Sequence, residues 1–225
     1  MRNKAFYILS ALAIFMLVRN LHAIMLEVPD DAEQGVVARI IYFHVPAAFT
    51  AFTGFFAALV ASALYLATKN FWYDSVAVAI TEVSLAFATV NLVTGPIWAR
   101  RSWGIWWTWD ARLTSMLFCF VLYVSYLALR SALEEPTQRA RISAVFSIFA
   151  FADVPIVWYS IEWFRTQHPA PVLRGAGYMD PFMKSTMYLN WPTLMLVAVI
   201  LILLRLRQEH TLRELDGLRR LAHAV

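Results

Sequence analysis

The stretch from residue 98 to residue 114 reads Trp98-Ala-Arg-Arg-Ser-Trp-Gly-Ile-Trp-Trp-Thr-Trp-Asp-Ala-Arg-Leu-Thr114, and it separates two long apolar runs, 75–98 and 113–130. Five of the nine tryptophans of the chain lie between Trp98 and Trp109. Tryptophan is common where a span leaves the membrane, so an anchoring belt is the ordinary interpretation. Five indoles interleaved with charged residues exceed what a belt needs, and they favour a ligand-binding surface.

A helical conformation for residues 103–110 would organise this surface. Four residues would then follow the spacing i, i+3, i+4, i+7 and share one face: Trp103, Trp106, Trp107 and Asp110. That face would be a flat aromatic wall with a carboxylate at its end. Guanidinium groups stand beside it at three positions, Arg100, Arg101 and Arg112. Such a surface would suit a large planar ligand with acidic edges.

The rest of the chain is that of a membrane protein. Hydrophobic residues make up 60% of its 225 residues and charged residues 15%, which excludes an ordinary soluble domain. Apolar runs predict spans at 5–26, 43–68, 75–98, 113–130, 142–164 and 183–204, against the roughly 20 residues needed to cross a bilayer. We therefore predict an all-α integral membrane protein, with six transmembrane helices in a single domain over residues 1–225. The first run is long enough to be a retained helix and not a signal peptide.

The distribution of basic residues orients these spans. Eleven Lys and Arg residues fall on the termini and even-numbered loops, and seven on the odd-numbered loops and their edges. The positive-inside rule then places both termini in the cytoplasm and residues 98–114 in the periplasm. The formal charge of +4 indicates membrane lipid as a neighbour and gives no reason to propose nucleic acid. The alternating charges of residues 210–220 predict a solvated helix.

Two histidines fall at the same predicted depth as the tryptophans. His44 precedes Val45-Pro46, and Pro46 fits the first turn of the second span. His168 follows the fifth span in the sequence Glu162-Trp-Phe-Arg-Thr-Gln-His168. The parity of the spans brings both histidines to the periplasmic side.

A few polar residues lie within the predicted spans, where they usually face the interior of the bundle. Asp153 and Asn190 are interpreted as polar contacts between helices, and Pro155 predicts a kink in the fifth span. Glu82 has no obvious partner. Cys119 is the only cysteine, so neither a disulfide nor covalent haem attachment through a cysteine pair is possible within this sequence.

The sequence Trp103-Gly-Ile-Trp-Trp-Thr-Trp-Asp110-Ala-Arg112-Leu-Thr114 resembles the tryptophan-rich (WWD) signature of the haem-handling proteins of cytochrome c maturation. The single signature and the chain length look most like the CcmC family. The sequence Tyr42-Phe-His44-Val-Pro-Ala-Ala48 also matches the context of one of that family's histidines.

The resemblance implies haem b, bound without a covalent bond at the periplasmic face, with His44 and His168 as axial iron ligands. It implies that the aromatic residues of the segment contact the porphyrin: Trp98, Trp103, Trp106, Trp107 and Trp109. Basic residues that could pair with the propionates are Arg100, Arg101, Arg112, Arg165, Arg174 and Lys184, and the sequence does not choose among them. Asp110 could orient a histidine or an arginine, and Gly104 would permit close backbone approach.

The resemblance also implies partners. These are the periplasmic haem chaperone CcmE, the ATP-binding-cassette subunits CcmA and CcmB, and the small membrane protein CcmD. No phosphate-binding loop occurs in the sequence, so we expect a non-enzymatic delivery component, with ATP hydrolysis in the partner subunits.

Three other classes remain open. A di-haem electron-transfer cytochrome b would need further histidines facing one another inside spans, and only His22 lies in one. A transporter with an aromatic gate would need paired broken helices, of which Pro155 and Pro192 are the only hints. A cytochrome c haem lyase of the same signature class would be longer, with additional spans.

Overall fold

The computed structural model describes residues 2–169 and 179–223, which fold almost entirely into helices. The helices are α1 (Arg2–His22), α2 (Ile41–Thr68), α3 (Phe71–Trp103), α4 (Ala111–Ser131), α5 (Pro136–Phe151), α6 (Asp153–Trp163) and α7 (Pro181–His223). A π-helical turn, Ala23–Glu27, extends α1, and a 3-10 turn, Val36–Ile40, leads into α2. Neither described range contains a β-strand.

Six helical segments in the described part of the chain are long and apolar enough to cross a membrane. They are Lys4–Glu27, Val36–Thr68, Phe71–Trp103, Ala111–Ser131, Pro136–Trp163 and Pro181–Arg219. Each overlaps one of the six predicted runs, and the predicted all-α fold with six spanning helices is confirmed. The main difference is length, since α3 and α7 both continue beyond their apolar runs.

The ends of these helices follow from local side chains. Asn70 caps α3 by accepting a 2.9 Å hydrogen bond from the backbone N–H of Trp72. Glu135 caps α5 in the same way, and Pro136 occupies the first turn, where its missing N–H leaves no acceptor unsatisfied. Lys69 ends α2 with a left-handed backbone, φ 58°. These caps set the short connections between the second and third spans and between the fourth and fifth.

The fifth span is broken into α5 and α6 at Ala152, as Pro155 predicts. Asp153 begins α6, and its buried side chain lies near Cys119 on α4. Its Oδ2 has no hydrogen-bond partner among the described residues, so the interpretation of Asp153 as a polar link between helices stays a prediction.

The core of the bundle is centred on α2 and α3. Gly54 on α2 allows the two helices to approach closely, because a β-carbon at this position would lie 1.9 Å from Ser84 Oγ. Phe55 stacks on Tyr123 of α4 with ring centroids 3.7 Å apart and planes 5° apart. The α2–α3 pair is therefore the centre of the bundle, with α4, α5 and α7 packed against it, whereas α1 packs on α7 and α6 on α4.

We call the end of the bundle that carries residues 98–110 the tryptophan end. The N-terminal part of α1 and the C-terminal half of α7 lie together at the opposite end, where the Arg207 guanidinium is 4.7 Å from the centre of the Phe6 ring. This placement follows from an even number of spans. The loops before α2 and after α6 consequently belong to the tryptophan end.

An ion-pair network ties α3, α4 and α7 at the opposite end. Its members are Asp74, Glu82, Arg130, Arg205, Glu209 and Arg213. Arg130 binds Asp74 through two hydrogen bonds of 2.6 and 2.7 Å, and both side chains are buried. Glu82 therefore has partners that the sequence did not reveal, chiefly Arg205.

The network also corrects the prediction for residues 210–220. That segment is helical as expected, but Arg213 turns into the network and contacts Asp74 and Glu209. The first turn of the segment is thus anchored to α3 and is not simply solvated.

Candidate functional site

The helix predicted over residues 103–110 does not form. Gly104 ends α3 in a left-handed conformation, φ 77°, which glycine adopts without a steric penalty. The chain then runs without regular structure until Asp110 caps α4. The expectation that Trp103, Trp106, Trp107 and Asp110 share one helical face is therefore wrong. The left-handed backbone explains the glycine at this position, and because no atom lies within 4 Å of the place that a β-carbon would occupy, close approach of a ligand to Gly104 stays a prediction.

The tryptophans form two edge-to-face pairs in place of one wall. Trp98 and Trp103, in the last turns of α3, have ring centroids 5.2 Å apart at 80°. Trp107 and Trp109, in the irregular segment, have centroids 5.8 Å apart at 75°. Trp109 is 77% exposed and Trp106 is 58% exposed. Large apolar rings are thus presented on the surface of the tryptophan end.

The loop before α2 joins this aromatic surface. Gln34 accepts a 2.7 Å hydrogen bond from the indole N–H of Trp98. Beside this bond lies a half-open cavity of about 380 Å³, lined by Glu33, Gln34, Trp98, Arg101, Trp103 and Pro169. The loop before α2, the last turns of α3 and the connection after α6 therefore meet at one place.

The three arginines of the segment differ in their surroundings. Arg100 donates a hydrogen bond to the carbonyl of Gly104 and stabilises the end of α3. Arg101 is exposed and lines the cavity. Arg112 lies partly buried between helices, where it donates to the carbonyl of Val157 on α6. Of the other predicted basic residues, Arg174 lies outside the described residues.

His44 lies at the end of the first turn of α2 and contacts three residues of α3. Its Nδ1 is 3.0 Å from Thr94 Oγ1. The amide nitrogen of Asn91 is 3.1 Å from Nε2 and 3.3 Å from Nδ1, and it donates to the His44 carbonyl at 3.2 Å. A β-carbon on Gly95 would lie 3.3 Å from Cε1 of the ring. The imidazole is therefore enclosed by one turn of α3.

Pro46 does not lie in the first turn of its helix, contrary to the prediction, because α2 already begins at Ile41. A proline inside a helix leaves the carbonyl four residues earlier without its usual donor. Here that carbonyl belongs to Tyr42, and the side-chain amide of Asn190 on α7 donates to it. This confirms Asn190 as a polar link between helices and steadies the turn that carries His44.

His168 is held in place by Asp110. One carboxylate oxygen of Asp110 accepts from the backbone N–H of Leu113 at 2.9 Å and caps α4. The other accepts from the Thr166 hydroxyl at 2.5 Å and from the Gln167 N–H at 3.1 Å. Thr166 Oγ1 in turn accepts from the His168 N–H at 3.0 Å. Asp110 thus fastens the loop of His168 to the start of α4.

These hydrogen bonds govern the charge of Asp110. Burial by itself raises the pKa of the carboxyl, but the bonds from Leu113, Thr166 and Gln167 outweigh burial and lower it. Asp110 is therefore a carboxylate at neutral pH, as its three donors require.

The His168 ring is neutral at the same pH. Burial, and then the Arg112 guanidinium, lower its pKa to about 4, against the opposite influence of the Pro169 carbonyl and Asp110. Nδ1 lies 2.9 Å from the Pro169 carbonyl, which can only accept, so Nδ1 carries the proton and Nε2 a free lone pair. His44 contacts Thr94 one turn of α3 before Trp98, and Trp98 lines the cavity together with Pro169, the residue after His168, so both histidines lie at the tryptophan end.

The donor set of this site fits an iron porphyrin better than a bare ion. In the described ranges no group of three or more His, Cys, Asp or Glu side chains could hold a metal ion. Two imidazoles at this end of the bundle could supply the axial ligands that haem iron takes, and the indoles could supply apolar surface. Trp107 Nε1 and Thr108 Oγ1 are buried and have no hydrogen-bond partner among the described residues. Both could donate to a polar group of a ligand.

The sequence did not identify the α3 partners of His44. Asn91, Thr94, Gly95 and Trp98 follow the spacing i, i+3, i+4, i+7, which places them on one helical face. That pattern of polar, small and aromatic residues within an apolar helix was the available signal.

Comparison with known proteins agrees with these features. The family model described as "Heme exporter protein C" (CcmC) matches residues 1–220. Heme exporter protein C of Bradyrhizobium diazoefficiens is 35% identical over 170 residues, which are 75% of this chain and 64% of the relative, just under two thirds of its length. The Escherichia coli K12 protein of the same name is 33% identical over 186 residues, 83% of this chain and 76% of the relative. A putative cytochrome c biosynthesis ccmC-like mitochondrial protein of Marchantia polymorpha is 30% identical over 181 residues, 80% of this chain and 77% of the relative.

Proposed function

Because the chain belongs to the heme exporter protein C (CcmC) family, we propose that it binds haem b without a covalent bond and delivers it during cytochrome c maturation. The site faces the periplasm from the bacterial inner membrane, and the recipient is the haem chaperone CcmE. Haem is the cargo of this protein, and the chain itself carries out no catalysis.

One observation carries this proposal. His44, on α2, and His168, in the loop after α6, are separated by more than a hundred residues in sequence yet lie at the same end of the bundle. His44 contacts Thr94 one turn of α3 before Trp98, and Trp98 lines a cavity together with Pro169, the residue after His168. The pKa of His168 favours the neutral imidazole, which is the form that binds iron. We assign His44 and His168 as the axial ligands.

The remaining residues have supporting roles. Trp98 and Trp103, and the pair Trp107 and Trp109, offer ring faces and edges to the porphyrin. The partly buried Arg112 and the exposed Arg101 could pair with the propionates. Asp110 contributes indirectly, since it holds the loop of His168.

The position of the site favours delivery over electron transfer. Trp106 and Trp109 are exposed, and His168 belongs to a short connection and not to a helix. A site open at the surface lets a second protein reach the haem edge, whereas an electron-transfer site gains from burial. The only histidine beyond His44 within a predicted span, His22, is exposed and 3.0 Å from Glu27, which gives no support for a second haem.

The partners follow from the same reasoning. CcmA and CcmB would supply ATP hydrolysis, which needs a phosphate-binding loop that is absent from this sequence. CcmD would complete the membrane complex. The excess of basic residues at the opposite end favours placing that end, with both termini, in the cytoplasm.

The test is an absorption spectrum of the purified protein. We expect a low-spin haem spectrum, oxidised and reduced, and we expect His44→Ala and His168→Ala each to lose most of the haem. His210→Ala is the matched control, because His210 is exposed, pairs with Glu214 at 3.3 Å and lies at the opposite end. An unchanged Soret band and haem content in both site variants would refute the assignment.

A further inference from the structure

We propose that Thr94 and Asn91, on α3, are positioning residues that fix the tautomer and the plane of the His44 ring, so that Nε2 is the nitrogen presented to haem iron. The inference rests on the proposed function, in which His44 is an iron ligand. It adds the residues that determine how that ligand is presented.

The first step concerns the proton of the Thr94 hydroxyl. A threonine hydroxyl has one proton to donate. Thr94 Oγ1 lies 2.7 Å from the backbone carbonyl of Val90, which can only accept, so the hydroxyl proton is directed there. The same oxygen lies 3.0 Å from His44 Nδ1. With its proton already donated, Thr94 can only accept from Nδ1, and Nδ1 therefore carries the hydrogen.

The second step concerns the other ring nitrogen. A neutral imidazole has one protonated nitrogen and one with an in-plane lone pair. Because Nδ1 of His44 is the donor to Thr94, Nε2 has the free lone pair. The nitrogen that binds a metal is determined in this way by the hydrogen bond that the other nitrogen makes.

The third step concerns the plane of the ring. The amide nitrogen of Asn91 is almost equally distant from Nε2 and Nδ1 of His44, at 3.1 and 3.3 Å. An atom at nearly equal distances from the two nitrogens would overlap Cε1, or the Cγ–Cδ2 bond, if it lay in the plane of the ring, so it lies over the ring face and not along either in-plane nitrogen direction. Its hydrogen bond to the His44 carbonyl, at 3.2 Å, holds it there. Asn91 thus supports the ring from one face and leaves the Nε2 lone pair free.

The edge of the ring completes the arrangement. Cε1 of His44 lies against Gly95, where a β-carbon would be only 3.3 Å away. One turn of α3 therefore contacts the ring at Nδ1, at one face and at the Cε1 edge. The side of the imidazole left uncovered by these three contacts is the one that carries Nε2.

The experiment compares Thr94→Val with Thr94→Ser in the purified full-length protein. Thr94→Val keeps the shape of the side chain and removes the acceptor, whereas Thr94→Ser keeps the hydroxyl. Thr89→Val is the matched control, since Thr89 makes the same hydroxyl-to-carbonyl bond, 2.9 Å to Leu85, on the same helix. Loss of a group that orients a metal ligand typically weakens binding 10- to 100-fold. We expect a loss of that size for haemin with Thr94→Val, and near-normal binding with the other two.

A second readout separates positioning from simple packing. Nitrogen-15 NMR of the haem-free protein, labelled on histidine, reports which ring nitrogen of His44 carries hydrogen. We expect hydrogen on Nδ1 in the unmodified protein and in Thr94→Ser, and a shift toward Nε2 in Thr94→Val. Hydrogen on Nε2 in the unmodified protein, or unchanged haemin affinity and tautomer in Thr94→Val, would overturn this inference. Undiminished haem binding in His44→Ala would instead overturn the proposed function.

Discussion

Asp110→Asn should separate the two tasks that one carboxylate performs. Asparagine is as good a helix cap as aspartate, so the hydrogen bond from the Leu113 N–H to the first oxygen survives. The second oxygen, which accepts from Thr166 and Gln167, becomes an amide group. That amide can still donate to the threonine hydroxyl, but it opposes the Gln167 N–H with a donor. The cap is kept and the loop of His168 is loosened.

The magnitude follows from the bonds that are lost. A hydrogen bond to a charged acceptor contributes about 1.5–3 kcal/mol. Two such bonds are involved, but the one from Gln167 is exposed and the one from Thr166 is partly replaced. A net loss of about 2 kcal/mol in the ordering of the loop is therefore reasonable, which corresponds to about a 30-fold weaker affinity for haem. The melting temperature should change little, because α4 remains capped.

The assay is a haemin titration of the purified protein followed at the Soret band, with thermal unfolding by circular dichroism on the same samples. Asp180→Asn is the matched control: Asp180 also caps a helix, but one oxygen accepts from both Phe182 and Met183. Its asparagine variant should bind haem normally. If Asp110→Asn binds haem within about twofold of the unmodified protein, the loop is not held by this carboxylate and the reasoning fails.

Two further predictions concern pH and the opposite end of the bundle. The pKa of His168 is about 4 in the folded protein and 6.5 for an unperturbed histidine. As the pH falls from 6.5 to 4, the unfolded chain therefore binds a proton that the folded chain does not bind, and folding stability decreases. The stability of the haem-free protein, followed by thermal unfolding, should therefore be constant above pH 6.5 and decline toward pH 4; constant stability down to pH 4 would contradict this. Asp74→Asn removes the carboxylate that binds the buried Arg130 guanidinium through two hydrogen bonds, leaving only Glu209 at 3.7 Å, and should cost about 3–5 kcal/mol of stability. Thermal unfolding measures this against Asp216→Asn, in an exposed pair, and equal effects would contradict the role of the network.

The spans and the end of the bundle that carries the site were predictable because both depend on the chain's own order. Apolar runs of sufficient length identify helices, and their parity sends His44, His168 and the tryptophans to one end. The break at Ala152 was likewise predictable, since Pro155 acts on the turn that precedes it.

The details of the site were not predictable in the same way. The spacing of the tryptophans favoured a helix. However, Gly104 ends α3 with a left-handed backbone and Asp110 caps the start of α4, so the residues between them are not helical. The contacts of Asn91 with His44 and of Asp74 with Arg130 join residues about fifty positions apart. The spacing of residues within one helix does not predict which residue of another helix a polar side chain will contact.

The length of α7 makes its C-terminal end a suitable place for a topology tag. At 1.5 Å per residue its 43 residues extend about 64 Å, roughly twice the thickness of the hydrocarbon core. The C-terminal portion must consequently stand clear of the lipid by several turns. A fluorescent tag or protease cleavage sequence placed near its tip would read out which compartment that end occupies, without disturbing any group that touches the cargo.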